Sequence, residues 1–107
     1  MSYEMPDQIF AALADRNRRA LFEEISRAPT AVARLADKFP ISRPAVSQHL
    51  RILSDAGLVT VRPEGTRRIY AANPERLEVV RAWLDRYWGS VLGRFAEEID
   101  RMNGESG

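Results

Sequence analysis

Cysteine is absent from this chain, and histidine occurs once, as His49. The first absence excludes disulfides, thiolate metal sites and thiol redox switches. The second excludes a histidine-rich metal site within one subunit. No stretch approaches the roughly 18 consecutive apolar residues of a membrane span. The N-terminal residues also lack a signal-peptide pattern, so the expected location is the cytoplasm, with no membrane partner. Internal repeats, low-complexity segments and glycine-rich phosphate loops are missing too. Enzyme chemistry has little to work with, because there is no cysteine nucleophile and no second histidine to orient a base. The acidic pairs Glu23-Glu24 and Glu97-Glu98 are adjacent, and on a helix their members point about 100° apart. No catalytic residue, metal site or cofactor is expected.

What is present has the balance of an ordinary soluble protein: 107 residues, 45% hydrophobic and 29% charged. That length suits one domain over residues 1–107, with a compact core. The net charge of +1 is small but unevenly spread. Residues 43–68 carry Arg43, Arg51, Arg62, Arg67 and Arg68 against Asp55 and Glu64, a local balance of +3. The remainder holds eleven basic and thirteen acidic side chains, a balance of −2. Positive charge gathered on one segment is the electrostatic footprint of a nucleic-acid partner.

That segment begins with Ile41 to Leu58, the stretch around which the chain is organised. Ser42 is a natural N-cap, and Pro44 falls in the first turn, where its missing N–H costs little. Val46, Leu50 and Leu53 recur at i, i+4 and i+7 as one apolar stripe, and Gly57 stops the helix. The opposite face holds Arg43, Pro44, Ser47, Gln48 and Arg51, with no carboxylate until Asp55. Short donors and acceptors mixed with arginine suit base edges and phosphates in a DNA major groove, so this stretch is expected to be a recognition helix. His49 lies between Val46 and Leu53, nearer the packed side, and is read as structural, with a phosphate contact as the alternative.

Taken in order, Met1–Glu4 forms a short tail and a first helix spans about Pro6–Ala14, with Ile9, Phe10 and Leu13 apolar. Asp15 caps a second helix, about Arg16–Arg27, that turns Leu21, Phe22 and Ile25 inward. Arg16, Arg18 and Arg19 crowd its N-terminal turn, where the dipole disfavours cations. They read as a solvated cluster, with a phosphate contact as the alternative. Thr30 is expected to cap a short helix holding Val32, Leu35, Ala36 and Phe39, ended by Pro40. With the Ser42–Asp55 helix it makes a helix-turn-helix. Leu58–Arg62 and Arg67–Ala71 then have the β-branched content of strands, joined by a turn at Pro63–Thr66. The hairpin is a wing whose tip carries Arg62, Arg67 and Arg68.

Asn73-Pro74 opens a last helix, expected to reach about Met102, with Asn103–Gly107 as a frayed tail. Its apolar stripe is too broad and too aromatic for one small core. Leu84, Trp88, Val91, Phe95, Ile99 and Met102 form a second seam suited to a partner helix. Gly89 and Gly93 are expected to let the backbones approach. The fold class is therefore mainly α with a β-hairpin: five helices and a two-stranded wing, with a dimerisation helix at about residues 74–102.

Four stretches together carry a family resemblance: Leu13-Ala-Asp-Arg-Asn-Arg-Arg19, Ser47-Gln-His-Leu50, Leu53-Ser-Asp-Ala-Gly-Leu-Val59 and Glu64-Gly-Thr-Arg-Arg-Ile-Tyr70. The chain resembles, over nearly its whole length, the ArsR family of bacterial winged-helix transcriptional regulators. The resemblance implies a homodimer joined through the first and last helices, with Ile9 and Phe10 beside Leu84, Trp88, Val91, Phe95 and Ile99. It further implies binding to palindromic double-stranded operator DNA, usually as a repressor. Many members sense metals through a Cys-Val-Cys motif, where this chain has Ala31-Val32-Ala33. Others use histidine and carboxylate clusters on the last helix, where this chain has Glu78, Asp85, Glu97, Glu98 and Asp100 but no histidine. Metal or thiol sensing is not expected, and any regulated release needs a small molecule, a partner protein or simple abundance.

In this reading Ser42, Arg43, Pro44, Ser47, Gln48 and Arg51 face the major groove, while Arg62, Arg67 and Arg68 hold phosphates or the adjacent minor groove. The rival reading is a winged helix used as a protein-interaction module. That use favours an apolar or acidic recognition face, and this face is polar and basic. Double-stranded RNA is disfavoured because its deep, narrow major groove does not admit a helix.

Overall fold

Two short helices meet at a single residue, Asp15, and that corner starts the architecture. The computed structural model describes residues 5–105, apart from the side chains of Ser90, Leu92 and Glu105. The elements are α1 (Asp7–Ala14), α2 (Arg16–Arg27), β1 (Thr30–Ala31), α3 (Val32–Lys38), α4 (Arg43–Asp55), β2 (Val59–Glu64), β3 (Arg67–Ala72) and α5 (Pro74–Glu105). The expected tail Met1–Glu4 lies outside the described residues.

At the corner, the Asp15 side chain accepts from the Arg18 amide at 3.0 Å and so caps α2. That bond, with the Arg18 charge, holds the Asp15 carboxyl below its ordinary range. Arg18 Nε turns back to the Ala12 carbonyl at 2.7 Å, and an Arg19 guanidinium nitrogen reaches the Leu13 carbonyl at 3.1 Å. Arg18 and Arg19 thus satisfy the orphan carbonyls of α1, at the negative end of its dipole. Arg16 and Arg19 remain exposed, as a solvated cluster would be, while Arg18 is half-buried against α1. The positive start of α2 and the negative end of α1 share one corner, and the second decides the geometry.

The core lies beneath this corner. Ile9, Leu21, Ile25, Leu35, Val46, Leu50, Leu53 and Leu58 are essentially sealed from solvent. Each such side chain contributes roughly 1.5–3 kcal/mol of burial. Ile9 is among them, so it is not available to a partner. The first helix offers Phe10 instead, at 41% exposure. On the far side of α2, Glu24 accepts from Lys38 at 2.7 Å and from Arg27 at 3.1 Å, tying α2 to the end of α3.

The sheet has three strands in the order β1-β3-β2, rather than two. Thr30 and Ala31 pair antiparallel with Tyr70 and Ile69. Thr30 therefore does not cap α3; Ala31 occupies that position without a side-chain cap bond. The hairpin turn is shorter than expected, because Pro63 and Glu64 pair with Arg68 and Arg67. Only Gly65 and Thr66 remain in the turn. Gly65 has φ +63°, as a type II′ hairpin requires at its first position. Pro63 is tolerated because β2 is an edge strand.

Helix α5 begins at Pro74, as expected, and runs three residues past Met102. Its 32 residues span about 48 Å. Only its first turns are packed: Val79 and Val80 rest on the core, and Trp83 meets Phe10 edge-on with ring centroids 5.4 Å apart. Tyr87 stacks on Trp83 at 5.6 Å. Beyond that the helix overhangs, giving a radius of gyration of 19.2 Å, against about 13 Å for a compact chain of this size. Leu84, Trp88, Phe95, Ile99 and Met102 are exposed along one face, with Val91 half-buried among them. Gly89 and Gly93 do not lie on that seam. At about 100° per residue they project from the opposite side, where an added Cβ would meet nothing within 4 Å.

Candidate nucleic-acid interface

Helix α4 forms as its sequence dictates. Ser42 Oγ accepts from the Ala45 amide at 3.2 Å, and Val46, Leu50 and Leu53 turn inward. Arg43, Pro44, Ser47, Gln48 and Arg51 are left exposed on the outer side. The helix ends through Ala56 and Gly57, the latter at φ +79°.

Its C-terminal end is held unusually firmly. Gln8 Nε2 donates to the Asp55 carbonyl at 3.3 Å, and Arg76 Nε to the Ala56 carbonyl at 2.8 Å. Asn73 Nδ2 donates to the Gly57 carbonyl at 3.0 Å, and the Asn73 amide to the Leu58 carbonyl at 2.9 Å. The consecutive carbonyls of residues 55–58, at the end of α4 and just past it, are thus taken by α1, by the residue preceding α5 and by the first turn of α5. The sequence gives no signal for Gln8 or Arg76, because their partners are backbone atoms far along the chain.

Between α4 and the wing lies an open cleft of about 590 Å³. It is lined by Arg43, Ser47 and Arg51 of α4 and by Arg67, Arg68 and Tyr70 of β3, with Ala31, Val32 and Ala33 also contributing. Five of the expected contact residues are therefore brought together. Gln48, one step around the helix from Ser47, is exposed outside the cleft, as is Pro44. The Ser42 hydroxyl is occupied in capping. Arg62 stands apart on β2, 3.5 Å from Glu64, with both side chains exposed.

The charges of α4 oppose its dipole at both ends. Arg43 is its first residue and Asp55 its last, with no acid in the first turn and no base in the last. Each placement costs roughly 0.3–1 kcal/mol. Neither charge is therefore there to stabilise the helix, and both belong to the cleft surface.

His49 is half-buried on the packed side, with Nδ1 enclosed and without a protein partner. It lies near enough to Asp15 that an imidazolium there would help to lower that carboxyl. Among the described residues no three His, Asp or Glu side chains come together to hold a metal ion. No described helix is long and apolar enough to cross a membrane.

Comparison with known proteins bears on the fold and the family. The family model described as a helix-turn-helix domain matches residues 13–62. The chain is 48% identical to the HTH-type transcriptional regulator Rv2034 of Mycobacterium tuberculosis, over 92% of each chain. Among solved structures it is similar to an ArsR-like transcriptional regulator from Rhodococcus sp. RHA1, with a TM-score of 0.74, 31% identity and 91% of each chain covered. It is also similar to the homodimeric winged helix-turn-helix DNA-binding domain of a possible ArsR-family regulator from Mycobacterium bovis. There the TM-score is 0.63 and the identity 26%, covering 86% of this chain and 78% of that one. With the β2–β3 hairpin following the recognition helix, β1 added to its sheet and the long terminal helix, these relationships show that the chain belongs to the ArsR family of winged helix-turn-helix transcriptional regulators.

Proposed function

We propose that this regulator acts as a homodimer that reads a palindromic operator in double-stranded DNA and represses transcription, without sensing metals or thiols. The observation that carries the reading is the cleft, where arginines of the recognition helix and of the wing converge on a surface left open by the protein's own chain. Ser47 and Gln48 address base edges, Gln48 suiting adenine, while Arg43 or Arg51 suits guanine. Pro44 packs beside them in the groove, and Ser42 holds the first turn in place. Arg67 and Arg68, with Arg62 further out, hold phosphates or the neighbouring minor groove.

The partner subunit covers the exposed apolar face of α5, including Leu84, Trp88, Val91, Phe95 and Ile99, together with Phe10 of α1. A similar solved domain from Mycobacterium bovis is homodimeric, which supports this assembly. Two-fold symmetry then sets the half-sites about one helical turn, ~34 Å, apart. Repression follows from the family. The cytoplasm is the location that fits, and release from DNA, if regulated, uses a small molecule, a partner protein or simple abundance.

The test is selection of bound duplexes from a random pool at stated salt. An inverted repeat with that spacing is the expected result. Unpatterned binding would overturn the reading.

A further inference from the structure

Among the described residues Asp55 is the only acid lining the cleft, and it is the only carboxylate in α4. It is exposed, and among the described residues its side chain takes part in no hydrogen bond or ion pair. It is nevertheless firmly placed, because its own carbonyl is held by Gln8 and the next one by Arg76. At the last position of α4 it faces the negative end of the dipole, where a neutral side chain suits the helix better. Neither the fold nor the arginines of the cleft hold this carboxylate in a direct pair among the described residues. What remains for it to act on is what enters the cleft.

We propose that Asp55 is a specificity-determining residue whose carboxylate repels backbone phosphate at the wing end of the recognition helix. Through that repulsion it weakens binding to DNA of arbitrary sequence more than binding to the operator. An ionised carboxylate has acceptors only and cannot bond a phosphate oxygen. At physiological salt its repulsion extends over about 8 Å, and binding to arbitrary DNA depends almost entirely on phosphate contacts. On the operator, base contacts from α4 fix the register and keep the phosphates on the arginines. On other sequences nothing fixes the register, and a duplex that settles deeper into the cleft meets Asp55. The inference rests on the operator reading proposed above.

Asp55→Asn tests it, because the substitution keeps the shape and removes the charge. Kd is measured over a range of salt on the duplex selected by the parent protein and on a scrambled duplex of the same length. The scrambled duplex should bind about three- to tenfold more tightly, with a salt slope steeper by about one. The selected duplex should change by about twofold or less. Asp55→Glu should keep the parent's ratio, and neither variant should melt at a lower temperature than the parent. An Asn variant with an unchanged ratio overturns the inference. So does weaker binding to the selected duplex alone, which would make Asp55 an acceptor for a cytosine amino group. A parent protein that does not distinguish the two duplexes defeats the operator reading, and this inference with it.

Discussion

Arg76 Nε, in the first turn of α5, donates to the carbonyl oxygen of Ala56 at 2.8 Å, just past the end of the recognition helix. The rest of the Arg76 side chain lies over Gly57, so that a Cβ there would come within 3.0 Å of Arg76 Cδ. The long helix and the recognition helix are thereby joined through one partly buried guanidinium. Replacing Arg76 with alanine leaves the Ala56 carbonyl without its donor. Urea unfolding should show a loss of about 1–2 kcal/mol at unchanged m-value. A loss within 0.3 kcal/mol would mean that Asn73 and Gln8 hold the corner alone.

The glycines should respond with opposite signs. Gly57 at φ +79° and Gly65 at φ +63° adopt a conformation that L side chains rarely occupy. Alanine at Gly57 should cost about 1–2 kcal/mol, most of it backbone strain, since the crowding Cδ belongs to a flexible chain. Alanine at Gly65 meets open space and should cost about 1 kcal/mol. Gly89 lies in a helix interior with nothing near it, so alanine there should stabilise by about 0.5–1 kcal/mol. Thermal melting of the three variants checks the order. A weakened dimer in Gly89→Ala would place that glycine back on the seam.

Helix positions were legible from sequence because apolar spacing is local. Val46, Leu50 and Leu53 announce α4, and Ser42 and Gly57 mark its ends, with no tertiary information needed. What was not legible depends on partners distant in the chain. Thr30 looks like a cap, but β3 presents an unpaired edge, and two residues of strand form there instead. Arg18 looks solvated until α1 ends one residue before α2 and supplies bare carbonyls. Ile9 and Phe10 are adjacent on one apolar stripe, and only packing decides that the first is core and the second is surface. Gly89 and Gly93 were misread because spacing was considered without the face: four residues apart aligns them with each other, not with Trp88 and Val91.

Acid should loosen the contact between α2 and α3. Glu24 is held below the ordinary glutamate range, chiefly by the hydrogen bond from Lys38. The folded state therefore binds this proton less readily than the unfolded one. The stabilisation is complete above the unfolded value and is lost as pH falls through the lower folded value. Stability should decline as pH drops below about 4, and Glu24→Gln should flatten that part of the profile. Identical profiles for parent and variant would show that the contact is too solvated to matter.

The overhanging half of α5 predicts how the assembly fails. Phe95 is 63% exposed and meets no part of its own protomer's core. In a two-fold interface each substitution counts twice, so Phe95→Ala should weaken self-association by tenfold or more, roughly 1.4 kcal/mol. Sedimentation equilibrium should show this with the monomer's melting little changed. Trp83→Ala should behave differently, because its ring meets Phe10 in the same chain. That variant should lose monomer stability as well. Equal behaviour of the two would contradict the separation between the packed and the overhanging parts of the helix.

Recognition helix and wing should differ in kind when their arginines are removed. Arg51 shares its surface with Ser47 on α4, whereas Arg67 sits beside the turn of an edge hairpin, paired in register with Glu64. A base contact is worth about 1–3 kcal/mol on the right sequence and little on a wrong one, while a phosphate contact is worth the same on both. Arg51→Ala should therefore lower affinity for the selected duplex far more than for a scrambled one. Arg67→Ala should lower both alike and reduce the salt slope by about one. Because Glu64 already opposes Arg67 across the strands, removing that acid with Glu64→Gln should tighten binding to both duplexes. Titrations at three or more salt concentrations separate the cases. If Arg67→Ala changed the sequence preference while Arg51→Ala did not, the wing would be the reading element and α4 the clamp.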